Sequence, residues 1–282
     1  MARRSADLAD VEALTGEAGA GPRSSPGRYA ALQGVGRAMT IIEAVAERPM
    51  RAKELASRLG LKWTTAYRTL AYLEEHGYLR VDSSTGVYSV GSHLYRLGSA
   101  YLNSHPLVQA APPHLKPAGE EMRCAAQLNE RQGLRVITLM YVDAPTSIAK
   151  TQPGFSWPLN VASKGHLLLA YAPKVVRERV LDGSLRPFTA LTITDPEQLR
   201  ERIEEVRAAG YAVTRDDLQL GVGSVASPVR DAGGDVVACT TLIARSARMN
   251  DDAYLERLVG AVSEAAASLS LAIGWRPGHP GH

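Results

Sequence analysis

Cysteine is scarce in the 282-residue chain, which has two. Two thiols cannot build a disulfide framework, and Cys124 and Cys239 have no partner at metal-ligand spacing, so both are expected in the core of a protein from a reducing compartment. Long apolar runs are missing as well. The longest uncharged stretch, Leu97 to Leu115, holds Asn103, His105, Gln109 and prolines at 106, 112 and 113, which reads as a domain junction and leaves no membrane partner. Near the N-terminus, Leu8, Val11 and Leu14 alternate with Asp7, Asp10 and Glu12, so no secretory signal is expected and the cytoplasm is the expected location. Catalytic signatures are absent too: no phosphate loop, no His-Glu-x-x-His and no Gly-x-Ser-x-Gly elbow, while the histidines are scattered. Ser147-Ile148-Ala149-Lys150 does fit Ser-x-x-Lys, but without its companion motifs, so a Ser/Lys hydrolase is the weaker alternative to a non-enzyme with no cofactor and no metal.

Net charge is also small, 32 basic against 29 acidic residues. The balance is uneven along the chain: residues 1–27 carry 3 basic and 4 acidic groups, 28–96 carry 10 and 6, and 97–282 carry 19 and 19. Between 48 and 70, Arg48, Arg51, Lys53, Arg58, Lys62 and Arg68 face only Glu54. Such a run fits either a solvated face or a polyanionic partner, above all nucleic acid.

Local structure separates the two. Residues 1–28, rich in Ala, Gly, Ser and Arg, offer no periodic apolar face and are expected to be a disordered tail. Over 29–91, Val35, Met39, Ile42 and Ala46 repeat at helical spacing up to Pro49; Ala52–Leu59 forms a short helix closed by Gly60; a third helix starts at Thr64 or Thr65 and runs to His76 before Gly77. Two helices joined by a few residues make a helix-turn-helix, which presents the start of its second helix to the major groove. Tyr78–Val81 and Val87–Val90 around Asp82–Gly86 add a hairpin, the wing. Candidate DNA contacts are Arg51, Lys62, Trp63, Thr64, Thr65, Tyr67 and Arg68 with Arg80, Ser83, Ser84 and Thr85 of the wing, as cations and hydroxyls for phosphates and base edges. Trp63 is equally suited to the domain core.

A linker helix is expected over 92–107, with Leu94, Leu97, Tyr101 and Leu102 on its apolar face, then a domain over 108–274 and a tail over 275–282. In that domain Gly133–Asp143 reads as a strand; Thr194-Asp195-Pro196-Glu197 has a capping-box pattern opening a helix that stops at Gly210; Leu220–Val229 and Val236–Ala244 form a hairpin; Asp251–Ile273 is a helix. The fold class is α+β with two domains.

The chain resembles the IclR-type bacterial transcription regulators over roughly residues 32–273. Leu32-Gln33-Gly34-Val35-Gly36-Arg37-Ala38, Glu54-Leu55-Ala56, Tyr67-Arg68-Thr69-Leu70, Gly77-Tyr78-Leu79 and Tyr88-Ser89-Val90-Gly91 are similar to the family's DNA-binding half. Gly210-Tyr211-Ala212-Val213, Asp216-Asp217, Gly221 and Val225-Ala226-Ser227-Pro228-Val229 are similar to its effector-domain signature. The resemblance implies an N-terminal winged helix-turn-helix, a C-terminal GAF-like α/β effector-binding domain, operator DNA and a small organic or aromatic acid as partners, and a homodimer or dimer of dimers. It implies that Ser163, Lys164 and Gly165 lie where a loop enters a helix, that Thr214, Ser224, Thr241 and Ile243 face the pocket, and that Met140 and Ala149 line it. His166 replaces a Lys usual in the family and Thr214 an acidic residue, with Asp216 or Asp217 available to take over that polarity. A ligand-sensing adaptor without DNA binding is the other alternative.

Overall fold

The computed structural model describes residues 33–144 and 151–277. The tail expected over 1–28, Ala149, the Ser147–Lys150 motif and most of the C-terminal tail lie outside the described residues. The described chain divides between Ser104 and His105 into two compact units.

In the first unit, α1 (Gln33–Glu47) ends ahead of Pro49. Its buried stripe is Ile41, Ala44 and Val45, whereas Val35 and Met39 are 56% and 50% exposed. The stripe expected from Val35, Met39, Ile42 and Ala46 is therefore displaced by about one residue. Apolar residues surround this helix, so its spacing admits two stripes and the packing partners choose one. Strand β1 (Met50–Arg51) leads into α2 (Ala52–Arg58), and Gly60, at φ 61°, turns the chain into α3 (Trp63–Glu75). On α3, Ala66, Leu70 and Leu73 point inward, and Gly77 at φ 73° follows its end. Strands β2 (Leu79–Val81) and β3 (Val87–Val90) form the hairpin, and β1 pairs with β3 to complete a three-stranded sheet. The core is Ile41, Val45, Met50, Leu55, Leu70, Leu73, Leu79 and Tyr88. Each of its large aliphatic side chains contributes roughly 1.5–3 kcal/mol by burial. Helix α4 (Ser92–Ser104) has no buried residue and stops short of the expected 107, because His105 is extended and Pro106 starts a new helix.

The second unit is built on a six-stranded, wholly antiparallel sheet, β6-β5-β4-β9-β8-β7. Its strands are β4 (Ala125–Gln132), β5 (Arg135–Val142), β6 (Ser156–Pro158), β7 (Ala212–Arg215), β8 (Val222–Arg230) and β9 (Val236–Arg245). One face packs on α5 (Pro106–Ala110), α6 (Pro112–Met122) and α10 (Asp252–Ala272), around Leu115, Met122, Leu128, Leu242, Leu258 and Leu269. The other packs on α7 (Ala162–Ala170), α8 (Lys174–Leu181) and α9 (Pro196–Ala209), around Leu167, Leu169, Leu199, Ile203, Ala226 and Cys239. Helix α9 is capped by Asp195, whose Oδ1 accepts from the Gln198 amide at 2.9 Å, so the capping residue is one later than the Thr194 of the expected box. Gly210, at φ 78°, ends it as expected. Both cysteines are buried. Among the described residues, no helix is long and apolar enough to cross a membrane.

Candidate nucleic-acid interface and effector site

The start of α3 is an exposed polar and aromatic face. Lys62 occupies the N-cap, and Trp63, Thr64, Tyr67 and Arg68 follow with exposed side chains, while Thr65 is half-buried. Trp63 is 51% exposed and lies 5.9 Å from the Tyr67 ring, so it sits outside the core rather than in it. The cations of the basic run divide into two groups. Arg48 pairs with Glu54 and Arg58 with Glu47, which neutralises both. Arg51, Lys53, Lys62 and Arg68 have no ion-pair partner among the described residues, and they are the charges left to attract a polyanion.

The wing is braced from two sides. Arg51 donates from Nε to the Thr85 carbonyl at 2.9 Å, and Arg80 donates from Nε to Ser89 Oγ at 2.8 Å. Asp82 Oδ1 accepts from the Ser84 hydroxyl and from the amides of Ser84 and Thr85, and these bonds, the hydroxyl first, lower its pKa to about 2. Ser83, Ser84 and Thr85 remain exposed at the tip.

In the second unit the candidate residues converge on the layer between α7 and the sheet. All nine residues of α7 are buried. Ser163 Oγ donates to Ser224 Oγ at 2.7 Å, and Thr214 Oγ1 lies 3.1 Å from the same oxygen, giving a chain of three hydroxyls. Beside it, Lys164 donates from Nζ to Gln127 Oε1 at 3.0 Å and to Thr138 Oγ1 at 3.3 Å. Thr138 Oγ1 donates to Asn129 Oδ1, and Asn129 Nδ2 donates to Thr241 Oγ1. Ile243 stands opposite Ser224 in the β8–β9 register. Burial pushes the Lys164 amine down to about 8 and the neighbouring Cys239 thiol up to about 12.

Other candidates serve the frame. A Cβ on Gly165 would stand 2.8 Å from the Leu159 carbonyl oxygen, so this glycine permits α7 to lie against the preceding loop. Met140 packs against the cluster on the α6/α10 side and is not brought into the polar layer. Asp216, at φ 60°, accepts from the Gly221 amide and from Ser246 Oγ, which staples the loop after β7. Its neighbour Asp217 reaches α7 instead, accepting from the Ala162 amide at 2.8 Å. His166 donates from Nε2 to the Asn160 carbonyl at 2.9 Å; burial lowers its pKa, against the pull of Asp217. The residues that sequence reasoning missed are Gln127, Asn129 and Thr138, buried polar side chains within β4 and β5.

A winged helix-turn-helix with unpaired cations and an α+β unit with a polar layer inside it define a ligand-responsive DNA-binding regulator. The chain belongs to the IclR family: residues 34–83 match the IclR helix-turn-helix domain and residues 99–271 the bacterial transcriptional regulator IclR C-terminal domain. It is similar to the HTH-type transcriptional regulator BhcR of Paracoccus denitrificans, 32% identical over 85% of this chain and 86% of the relative. A glycerol operon regulatory protein of Streptomyces coelicolor is 27% identical over 86% of this chain and 97% of its own. Among solved structures, an IclR transcriptional regulator from Alicyclobacillus acidocaldarius superposes with a TM-score of 0.75 at 28% identity, covering 86% of this chain and 98% of the other. An IclR homologue from Microbacterium hydrocarbonoxydans, solved with 4-hydroxybenzoate, superposes at 0.74 with 25% identity, covering 85% and 98%.

Proposed function

We propose that α3 enters the major groove, with Thr64, Thr65 and Arg68 toward base edges, Lys62, Trp63 and Tyr67 toward the sugar-phosphate backbone, and Ser83, Ser84 and Thr85 of the wing on the adjacent backbone. Arg51 and Arg80 act by holding the wing. The observation that carries this reading is the grouping of exposed Lys62, Thr64 and Arg68 on the first turns of a helix with no acidic residue there. In the second unit a small acid binds against Ser163, Lys164, Thr214, Ser224, Thr241 and Ile243. Two features favour it: the hydroxyl-lined layer and the 4-hydroxybenzoate bound to the Microbacterium hydrocarbonoxydans homologue.

The protein works in the cytoplasm as a homodimer or a dimer of dimers and catalyses no reaction, with its reader over 29–91, its linker over 92–107 and its receptor over 108–274. Helix α4 supports pairing because it has no buried residue and leaves Tyr95, Leu97 and Tyr101 exposed. A mobility-shift titration with DNA upstream of its own gene tests the whole reading. Salt-sensitive binding that favours this DNA over random duplex is the expected result, and equal weak binding to both supports the adaptor alternative.

A further inference from the structure

Lys164 is 4% exposed, and a lysine is rarely buried to this degree without an acidic partner. Its two contacts, Gln127 Oε1 and Thr138 Oγ1, are neutral. Both are held in accepting orientation: Gln127 donates from Nε2 to Thr151 Oγ1 at 3.3 Å, and Thr138 spends its proton on Asn129. An ammonium carries three N–H donors, so one is left without an acceptor among the described residues.

Among the described residues, the charges around it do not offset it. From β9, Cys239 is a thiol that burial keeps protonated. The Asp217 carboxylate is spent on the Ala162 amide and acts on His166, as does Arg202 of α9 from the opposite sign. On β5, Arg135 donates to the hydroxyl and carbonyl of Ser156. Strand β4 presents only Gln127 and Asn129, and β8 only Ser224.

We infer that Lys164 selects the charge of the effector: its remaining N–H takes an anionic oxygen of a small carboxylate, which supplies the counter-charge that the described residues leave out. This rests on the reading of the α7–sheet layer as the effector site. A neutral molecule of the same shape leaves a buried ammonium without a counter-charge and is rejected, because loss of a charge-assisted hydrogen bond costs about tenfold or more in affinity. An anion also favours the charged amine, so binding takes up a proton near and above pH 8 and weakens as the pH rises further.

The test uses the full chain, with acid and amide pairs of matched shape: 4-hydroxybenzoate and 4-hydroxybenzamide, benzoate and benzamide, lactate and lactamide, propionate and propionamide. Binding is followed by thermal shift and calorimetry. An acid is expected to bind at least about tenfold more tightly than its amide, with proton uptake above about pH 8. Lys164→Met and Lys164→Gln are expected to lose that preference. Equal binding of acid and amide, an acid preference kept by both variants, or no acid bound at all overturns the assignment. Should neither variant fold, the preference and proton uptake of the wild-type chain decide alone. Neutral compounds that release the protein from DNA where acids do not would sink the charge assignment and leave the effector reading intact. If no compound of either kind acts, the effector reading itself falls.

Discussion

Arg51 and Thr85 are 34 residues apart in sequence, and the Nε of the first donates to the carbonyl of the second at 2.9 Å. Arg51 also pairs with Val87 through β1, so one residue ties the entry of α2 to both the tip and the return strand of the wing. The wing is thereby held in one position relative to the helix pair of its own unit.

Arg51→Ala removes the brace but leaves β1 its backbone pairing. A side-chain bond on the surface is worth about 0.5–1.5 kcal/mol, so the melting temperature should fall only slightly. Operator affinity should fall more than stability, which parallel melting and mobility-shift measurements would show. A loss of stability with unchanged affinity would remove the wing from the interface.

Arg68→Ala should cost about 1–3 kcal/mol on the cognate operator and relax sequence preference if its guanidinium reads a base. Lys62→Ala should weaken cognate and random duplex alike and reduce the salt slope by about 1. A binding series at several salt concentrations separates the two roles.

Asp82 titrates well below an ordinary carboxylate because the Ser84 hydroxyl and two amides bond its charged form. The sign follows: a depressed folded pKa stabilises above the unfolded value of about 3.9 and loses that contribution as pH falls through about 2. Carboxyl NMR should find the Asp82 midpoint near the lower value. A midpoint near that of a free Asp would mean that the turn does not persist in solution.

Gly165→Ala places a methyl carbon 2.8 Å from a backbone oxygen that cannot swing away. Overpacking of this kind costs about 1–3 kcal/mol, and in a unit of this size each kcal/mol lowers the melting temperature by roughly 2–4 °C. A substitution without effect on the thermal melt would show that α7 can shift against Leu159.

Burial raises the pKa of both cysteines to about 12, so neither offers a thiolate at neutral pH. Iodoacetamide should leave the native chain unlabelled and modify both positions once denaturant exposes them. Labelling of native Cys239 would mean that the polar layer around Lys164 opens to solvent.

The DNA-binding half was legible because its signals are local. Gly60 and Gly77 mark helix ends, the Asp82–Gly86 turn marks the hairpin, and Ala66, Leu70 and Leu73 repeat at helical spacing. Strand β1 escaped because two residues after Pro49 carry no period. Strand β4 escaped for a different reason: Gln127 and Asn129 are fully buried, so its sequence lacks the apolar alternation of an ordinary strand. Those same residues complete the Lys164 network, and what hid the strand is what equips it. Only the resemblance points to Met140 as a pocket wall and to Asp216 or Asp217 as its polar group. Which core a half-buried methionine joins, or which of two adjacent aspartates reaches a helix, depends on the β4–β5 bulge after Leu128 and on the left-handed Asp216 backbone, and neither is written in residue type.

The pairing of β4 with β9 sets Ala125 against Ile243 and Glu130 against Ala238, more than a hundred positions away. During synthesis the chain up to Ser104 emerges with every strand of its small sheet already present, and its pairings span short distances. The larger sheet stays split until residues 236–245 leave the ribosome, since its two central strands, β4 and β9, are the first and the last of its strands in chain order. Loop closure on that scale slows folding, and domains fold in the order in which they emerge. For an interval on each ribosome, then, the cell holds a finished reader attached to an unfinished sensor, and a truncation between Ser104 and residue 236 would make that interval permanent.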